Sequence, residues 1–164
     1  MRANQLARFY LVTLAVTACA AVAVSLVASH LIYNATRSMP LGFYWVTPSP
    51  TFRPNDVVAF RIPPAVEELV RERQYLPARA LLLKPVIATG GDDVCTAGGV
   101  LRVNGTTFGN VLHHDSAGRA LPEDSTCHPL ASNEVFVASP HSQCFHSRPF
   151  VAVPSHAIVG KVFP

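Results

Sequence analysis

Between Phe9 and Tyr33 the chain carries no Asp, Glu, Lys or Arg. A run that apolar leaves water either inside a protein core or inside a bilayer. A helix needs about 20 residues to cross the hydrocarbon of a membrane, and this run offers about 25. It reads as a spanning helix, with His30 near its far end. Arg2 and Arg8 precede it and the first acidic residue is Asp56, so the bias of cationic residues toward the cytoplasm leaves the N-terminus inside and everything after His30 outside. The alternative is a cleavable signal peptide, because Ala21, Ala23, Ala28 and Ser29 stand at cleavage-like spacing. The run exceeds the roughly 7–15 apolar residues of a signal's central region, which favours an anchor. Residues 1–33 are thus expected to form the cytoplasmic tip and anchor, and residues 34–164 one soluble domain.

Fourteen prolines interrupt the rest of the chain, which argues for short strands joined by turns over a helical bundle. Val57 to Phe60 follow a Pro54, Asn55, Asp56 turn signal and read as a strand. Pro64 opens the one soluble helix, with Glu67 and Glu68 in its first turn and Val66, Leu69 and Val70 at helical spacing; Pro77 is expected to close it. Ala80 to Ala88 reads as a strand containing Lys84. Val100 to Val103 and Thr106 to Phe108 flank Asn104 and Gly105, a pair that signals a type I′ hairpin turn. Val135 to Val137 and Ile158 to Val162 supply two more strands. The expected fold is mostly β, with one N-terminal transmembrane helix and one short soluble helix.

A net charge of +3 with scattered arginines leaves no stripe to neutralise a phosphate backbone, so nucleic acid is not an expected partner. Four cysteines suit an exported domain. Cys19 lies in the apolar run and reads as a small hydrophobe. Cys95 and Cys127 flank a Gly-rich hydrophilic excursion, and a disulfide closing it would contribute about 3–4 kcal/mol by chain entropy. Cys144 is left over, either buried or functional.

Ser38 stands just beyond the apolar run, and Lys84 lies downstream among Leu82, Leu83 and Val86. A serine hydroxyl needs a base, and lysine serves only when neutral, which means moving its pKa from about 10.4 toward about 7–8. On a strand, the same-face neighbours of Lys84 are Leu82 and Val86, and no acidic residue follows before Asp92. The surroundings are therefore desolvating, not charge-pairing. Taken singly, Lys84 reads more readily as a strand-edge lysine, and Ser38 at least as readily as a hydroxyl capping the turn implied by Pro40 and Gly42.

Ser38, Met39, Pro40, Leu41, Gly42 with the aromatic pair Phe43 and Tyr44, then Lys84, Pro85, Val86, Ile87 closed by Gly91 and Asp92, resemble the type I signal peptidase superfamily in its conjugative-transfer, TraF-type branch. Ser139 to Ser142, Phe145 to Phe150 and Ile158 to Lys161 extend the likeness toward the C-terminus. The resemblance implies a signal-peptidase-like β fold, Ser38 as nucleophile and Lys84 as general base. It also implies an oxyanion site from the Ser38 backbone N–H and the Thr36 hydroxyl, and no cofactor or metal. It further implies a bacterial inner-membrane location with a periplasmic catalytic domain, and as partner an exported, pilin-like precursor with small residues before the cleavage site. Cys144 stands where the family has a serine that orients the lysine, and His146 where it has an aspartate beside Arg148, leaving Asp92 or Asp93 as the carboxylates for that arginine.

Three other readings stand beside this one. A catalytically impaired periplasmic binding module of the same fold would explain Cys144 and His146. A metal site would draw on Cys127 with His128, on His113 and His114, or on His141, Cys144 and His146, but none has structural-zinc spacing. A Ser-His-Asp hydrolase is disfavoured because no Gly-x-Ser-x-Gly elbow occurs.

Overall fold

A computed structural model describes residues 2–35, 39–77, 80–111, 113–115, 117–122, 127–138 and 152–164. The chain divides into two compact units, Met1–Ile32 and Tyr33–Pro164.

The first unit is dominated by α1 (Arg2–His30). Within it Asn4–Ser29, 26 residues of mean hydropathy 2.4, is long and apolar enough to cross a membrane. Thr13, Thr17 and Ser29 turn their hydroxyls back onto the carbonyls of Phe9, Leu14 and Leu26, so these polar groups are satisfied inside the helix, as a hydrocarbon environment demands. The helix stops at His30, short of the apolar run's end, because Leu31–Asn34 forms strand β1.

The second unit is mostly β. After β1 come β2 (Gly42–Thr47), β3 (Val57–Arg61), α2 (Pro64–Glu72), β4 (Leu81–Thr89), β5 (Asp93–Cys95), β6 (Val100–Val103), β7 (Thr106–Asn110), β8 (Cys127–Pro129), β9 (Glu134–Val137), β10 (Val153–Pro154) and β11 (Ile158–Phe163). Seven strands form one sheet in the order β1-β2-β11-β3-β4-β9-β10, and four form a second in the order β7-β6-β5-β8. The second sheet is the excursion bounded by Cys95 and Cys127. Its hairpin turn has positive φ at both Asn104 (49°) and Gly105 (78°), as a type I′ turn requires.

α2 begins with Pro64 in its first turn, where a missing N–H is harmless, and buries Val66 and Val70, one turn apart. It ends before Pro77. Gln74 adopts φ 53°, and the Tyr75 N–H reaches back to the Val70 carbonyl at 3.1 Å, which is a Schellman stop built on glutamine.

Two apolar clusters hold the unit together. Val58, Phe60, Leu82, Val86, Val135, Val137 and Val153 from the main sheet meet Val66 of α2 in one. Ala88, Val94, Leu101, Leu130, Ala138 and Ala152 join the two sheets in the other. Gly160 marks a tight spot: the pairing of β11 with β3 shifts register between Ile158 and Gly160, and a Cβ on Gly160 would lie 2.4 Å from the Thr47 carbonyl oxygen. Gly160→Ala is therefore expected to lower stability by about 1–3 kcal/mol, readable as a lower denaturation midpoint of the detergent-solubilised protein. An unchanged midpoint would mean that β2 and β11 part without cost.

Candidate active site

The chain has two lysines, Lys84 and Lys161, and the fold gives them opposite surroundings. Lys161 on β11 is partly exposed and pairs with Asp56 at 2.7 Å. Burial on its own would push the Asp56 carboxyl up; the Lys161 ammonium and the Arg53 N–H outweigh it and hold that carboxyl below its ordinary value. Lys161 thus sits at the partly exposed edge of the sheet beside a carboxylate.

Lys84 sits in the middle of β4, directly opposite Val58 of β3, and is 1% exposed. Its same-face neighbours along the strand are Leu82 and Val86, both members of the main apolar cluster along with Val58. Alternation along β4 thus puts an amine where a core aliphatic would ordinarily stand, and lysine is almost never fully buried without a specific reason.

Ser38 and Thr36 lie outside the described residues, but the chain immediately following them is described. The side-chain amide of Asn34, at the end of β1, donates to the carbonyls of both Met39 and Pro40 at 3.0 Å. The Tyr44 hydroxyl donates to the Pro40 carbonyl at 2.9 Å. Both residues are buried, Tyr44 on the inward face of β2. Two strands therefore grip the turn that follows Ser38 through side-chain donors. Sequence reasoning missed this pair: Tyr44 was visible only as the second of two aromatics, and Asn34 only as the first polar residue after the apolar run.

Cys144, His146 and Arg148 also lie outside the described residues. The last described residue before them is Ala138, whose N–H donates to the carbonyl of Pro85 at 3.2 Å, one residue along β4 from Lys84. The next described residue after them is Ala152, which is buried. Asp92, the expected substitute partner of Arg148, has both carboxylate oxygens engaged locally. One accepts from the Thr89 N–H at 2.8 Å and the Thr89 hydroxyl at 3.2 Å, the other from the Asn104 amide at 2.9 Å. The Asn104 amide, then the Thr89 N–H, hold the Asp92 carboxyl below its ordinary value. Its described role is to join the end of β4 to the hairpin turn of the second sheet.

Cys95 and Cys127 are disulfide-bonded and face each other across β5 and β8. Among the described residues no three His, Cys, Asp or Glu side chains converge as metal ligands would.

A second polar cluster, unforeseen from the sequence, surrounds Asp115, whose side chain is fully buried. The Tyr75 hydroxyl and the Arg119 guanidinium, the latter at 2.7 Å, donate to one carboxylate oxygen. The backbone N–H groups of Ala117 and Arg119 donate to the other at 2.9 and 2.8 Å. Arg73 approaches within 3.5 Å and also donates to the Ala120 carbonyl at 2.9 Å. Burial alone would push the Asp115 carboxyl up; Tyr75, Arg119 and Ala117 outweigh it and hold the carboxyl far below its ordinary range. The cluster ties the chain just after α2 to the disulfide-closed excursion.

A mostly β unit with a lysine in its core and a turn gripped just after a serine, behind a long apolar helix, is the arrangement expected of a membrane-associated serine/lysine peptidase. The family described as signal peptidase, peptidase S26 matches residues 3–164, and the chain belongs to that family. Two relatives from Escherichia coli are each called plasmid transfer protein TraF. One is 30% identical over 115 residues, 65% of this chain and 65% of that protein. The other is 28% identical over 141 residues, 80% of each. The chain covers just under two thirds of the first relative's length.

Proposed function

We propose that the chain is a membrane-anchored serine endopeptidase in which Ser38 is the nucleophile and Lys84 the general base. The observation that carries this reading is the burial of Lys84 on the core face of β4, 1% exposed, between Leu82, Val86 and Val58. Such surroundings disfavour an ammonium relative to the neutral amine, and an amine can take the proton of a serine hydroxyl as it attacks a carbonyl. The Ser38 backbone N–H and the Thr36 hydroxyl hold the oxyanion, donors of this kind typically supplying about 3–4 kcal/mol. The protonated lysine then returns its proton to the leaving amine, and a water deprotonated by Lys84 releases the acyl group. Asn34 and Tyr44, by fixing the Met39 and Pro40 carbonyls, limit the wander of the Ser38 backbone.

Family membership implies a precursor protein as substrate. β9 pairs with β4 only from Val86 onward, and among the described residues no strand takes the same edge of residues 81–84. An extended precursor segment adds there as a further strand, with small side chains before the cleaved bond. The plasmid-transfer relatives favour a pilin precursor of a conjugative pilus, cleaved on the periplasmic side of the inner membrane with the N-terminus of this chain in the cytoplasm. Cys144 and His146 favour a second reading, a catalytically impaired binding module of the same fold in a secretion assembly.

Co-expression of a pilin precursor with the full chain, or with Ser38→Ala, tests the proposal through the mass of the mature product. The wild type is expected to shorten the precursor and the alanine variant to leave it intact while accumulating and melting as the wild type does. Full processing by Ser38→Ala would remove Ser38 as nucleophile, and an intact precursor with both forms would favour the binding module.

A further inference from the structure

The second sheet has two faces of opposite character. Val94, Leu101 and Val103 turn inward to the apolar cluster shared with the main sheet. Cys95 and Arg102 alternate with them and face outward, and Arg102 is exposed. Cys95 stands directly opposite Cys127 on one side and Arg102 on the other, and Thr107 continues the row opposite Arg102. One outward row therefore runs Cys127, Cys95, Arg102, Thr107 across β8, β5, β6 and β7. Side chains directly opposite on neighbouring strands have Cβ atoms about 4.5–5.5 Å apart, so a guanidinium lies within reach of the disulfide. Among the described residues no carboxylate, Asp93 on the same face included, forms an ion pair with Arg102.

The two sulfurs are not equivalent. Cys127 is exposed, whereas Cys95 is half-buried. A thiolate arriving from water meets the Cys127 sulfur first, and the sulfur that must leave is that of Cys95, beside a cation that favours its thiolate. Exposed disulfides are the ones that exchange, whereas shielded ones resist reduction. The excursion does not rest on this link alone. Apolar contacts tie it to the main sheet, and Asp115 ties it to Tyr75 and Arg73 after α2, so the link can open while the fold stands. We propose that Cys95–Cys127 is a thiol-exchange site, at which an external protein dithiol reduces the chain through Cys127 and unlatches the excursion. One thiolate of the dithiol bonds to the Cys127 sulfur, and the Cys95–Cys127 bond breaks with its electron pair leaving on Cys95. The second thiolate then attacks the dithiol's own sulfur in that mixed disulfide, and Cys127 leaves. The dithiol departs as a disulfide, having passed two electrons and two protons to the chain, which ends with two thiols. This does not depend on the peptidase reading.

Free thiols of the folded full chain in detergent are first blocked with N-ethylmaleimide. Dithiothreitol is then added at neutral pH, and newly formed thiols are labelled with deuterated N-ethylmaleimide and located by peptide mass spectrometry. The link is expected to open without denaturant, with an unchanged far-ultraviolet circular dichroism spectrum. Reduced glutathione in place of dithiothreitol should be trapped on Cys127 and not on Cys95. Arg102→Ala, an exposed position outside the core, should slow opening by about three- to tenfold, and Arg102→Lys should restore most of the rate. A link that opens only in urea would overturn the proposal. So would glutathione found chiefly on Cys95, or a rate indifferent to Arg102→Ala, because the disulfide would then be a structural clasp with no directed exchange.

Discussion

Lys84→Met is expected to abolish precursor processing, by at least about a thousandfold, in a protein that still folds. Methionine keeps the length and flexibility of lysine and removes an amine that is 1% exposed among Val58, Leu82 and Val86. A thioether of similar length suits that apolar wall, so the variant should fold. Lys84→Arg should be equally inactive for a different reason, since a guanidinium does not deprotonate in a protein. It should also be markedly less stable, because a fixed charge would then occupy the apolar site. The pair is diagnostic: inactivity of both variants, with a marked loss of stability for the arginine alone, is expected of a lysine that works as a neutral amine. Processing by Lys84→Met at more than a few per cent of the wild-type rate would sink the assignment of Lys84 as base.

Asp115→Asn should cause a large, acid-sensitive loss of stability. The native carboxylate accepts from Tyr75, Arg119 and Ala117, and its pKa is depressed in the folded state. A depressed carboxylate contributes stability in full above its unfolded value, about 3.9, and loses it progressively as pH falls toward the folded value. Asparagine presents no charge to Arg119 or Arg73 and sets an amide N–H against donors that need an acceptor. The variant should therefore melt well below the wild type at pH 7, and the gap should narrow as pH falls through about 4 toward 3. Thermal melts of both forms across that range measure it. A constant gap would show that Asp115 acts by shape and hydrogen bonding alone.

Much of the mostly β fold was legible because alternation and turn chemistry agreed locally. Lys84 between Leu82 and Val86 announces a strand with a buried face, and Asn104-Gly105 announces the turn between β6 and β7; the structure has both. The family was legible in the short motifs around Ser38 and Lys84. β1 was hidden because Leu31, Ile32 and Tyr33 continue the apolar composition of α1 without a break. β2 was hidden because Phe43 and Trp45 make its outward face as apolar as its inward one, erasing the period of two. The end of α2 was assigned to Pro77, whereas backbone geometry at Gln74 ends it earlier, and glutamine carries little propensity for that conformation. The Asp115 cluster was invisible for another reason: its partners Arg73 and Tyr75 lie about 40 positions away, and no local pattern encodes a contact at that separation.

The backbone enters and leaves the excursion from β5 to β8 through a narrow neck, beside the apolar cluster that packs the two sheets together. The Gly91 N–H donates to the Leu130 carbonyl at 2.9 Å, and the Leu130 N–H to the Asp92 carbonyl at 2.9 Å. β4 and β9 continue on either side of that neck and remain paired with each other. Topologically the whole second sheet is the loop of one long hairpin, so its length does not enter the register that seats Lys84. Because loop-closure entropy grows only logarithmically, doubling such a loop would cost about 0.6 kcal/mol. Descendants of this chain can therefore enlarge, shrink or resurface the excursion, and so alter what the molecule meets in its compartment, while inheriting the lysine's surroundings unchanged.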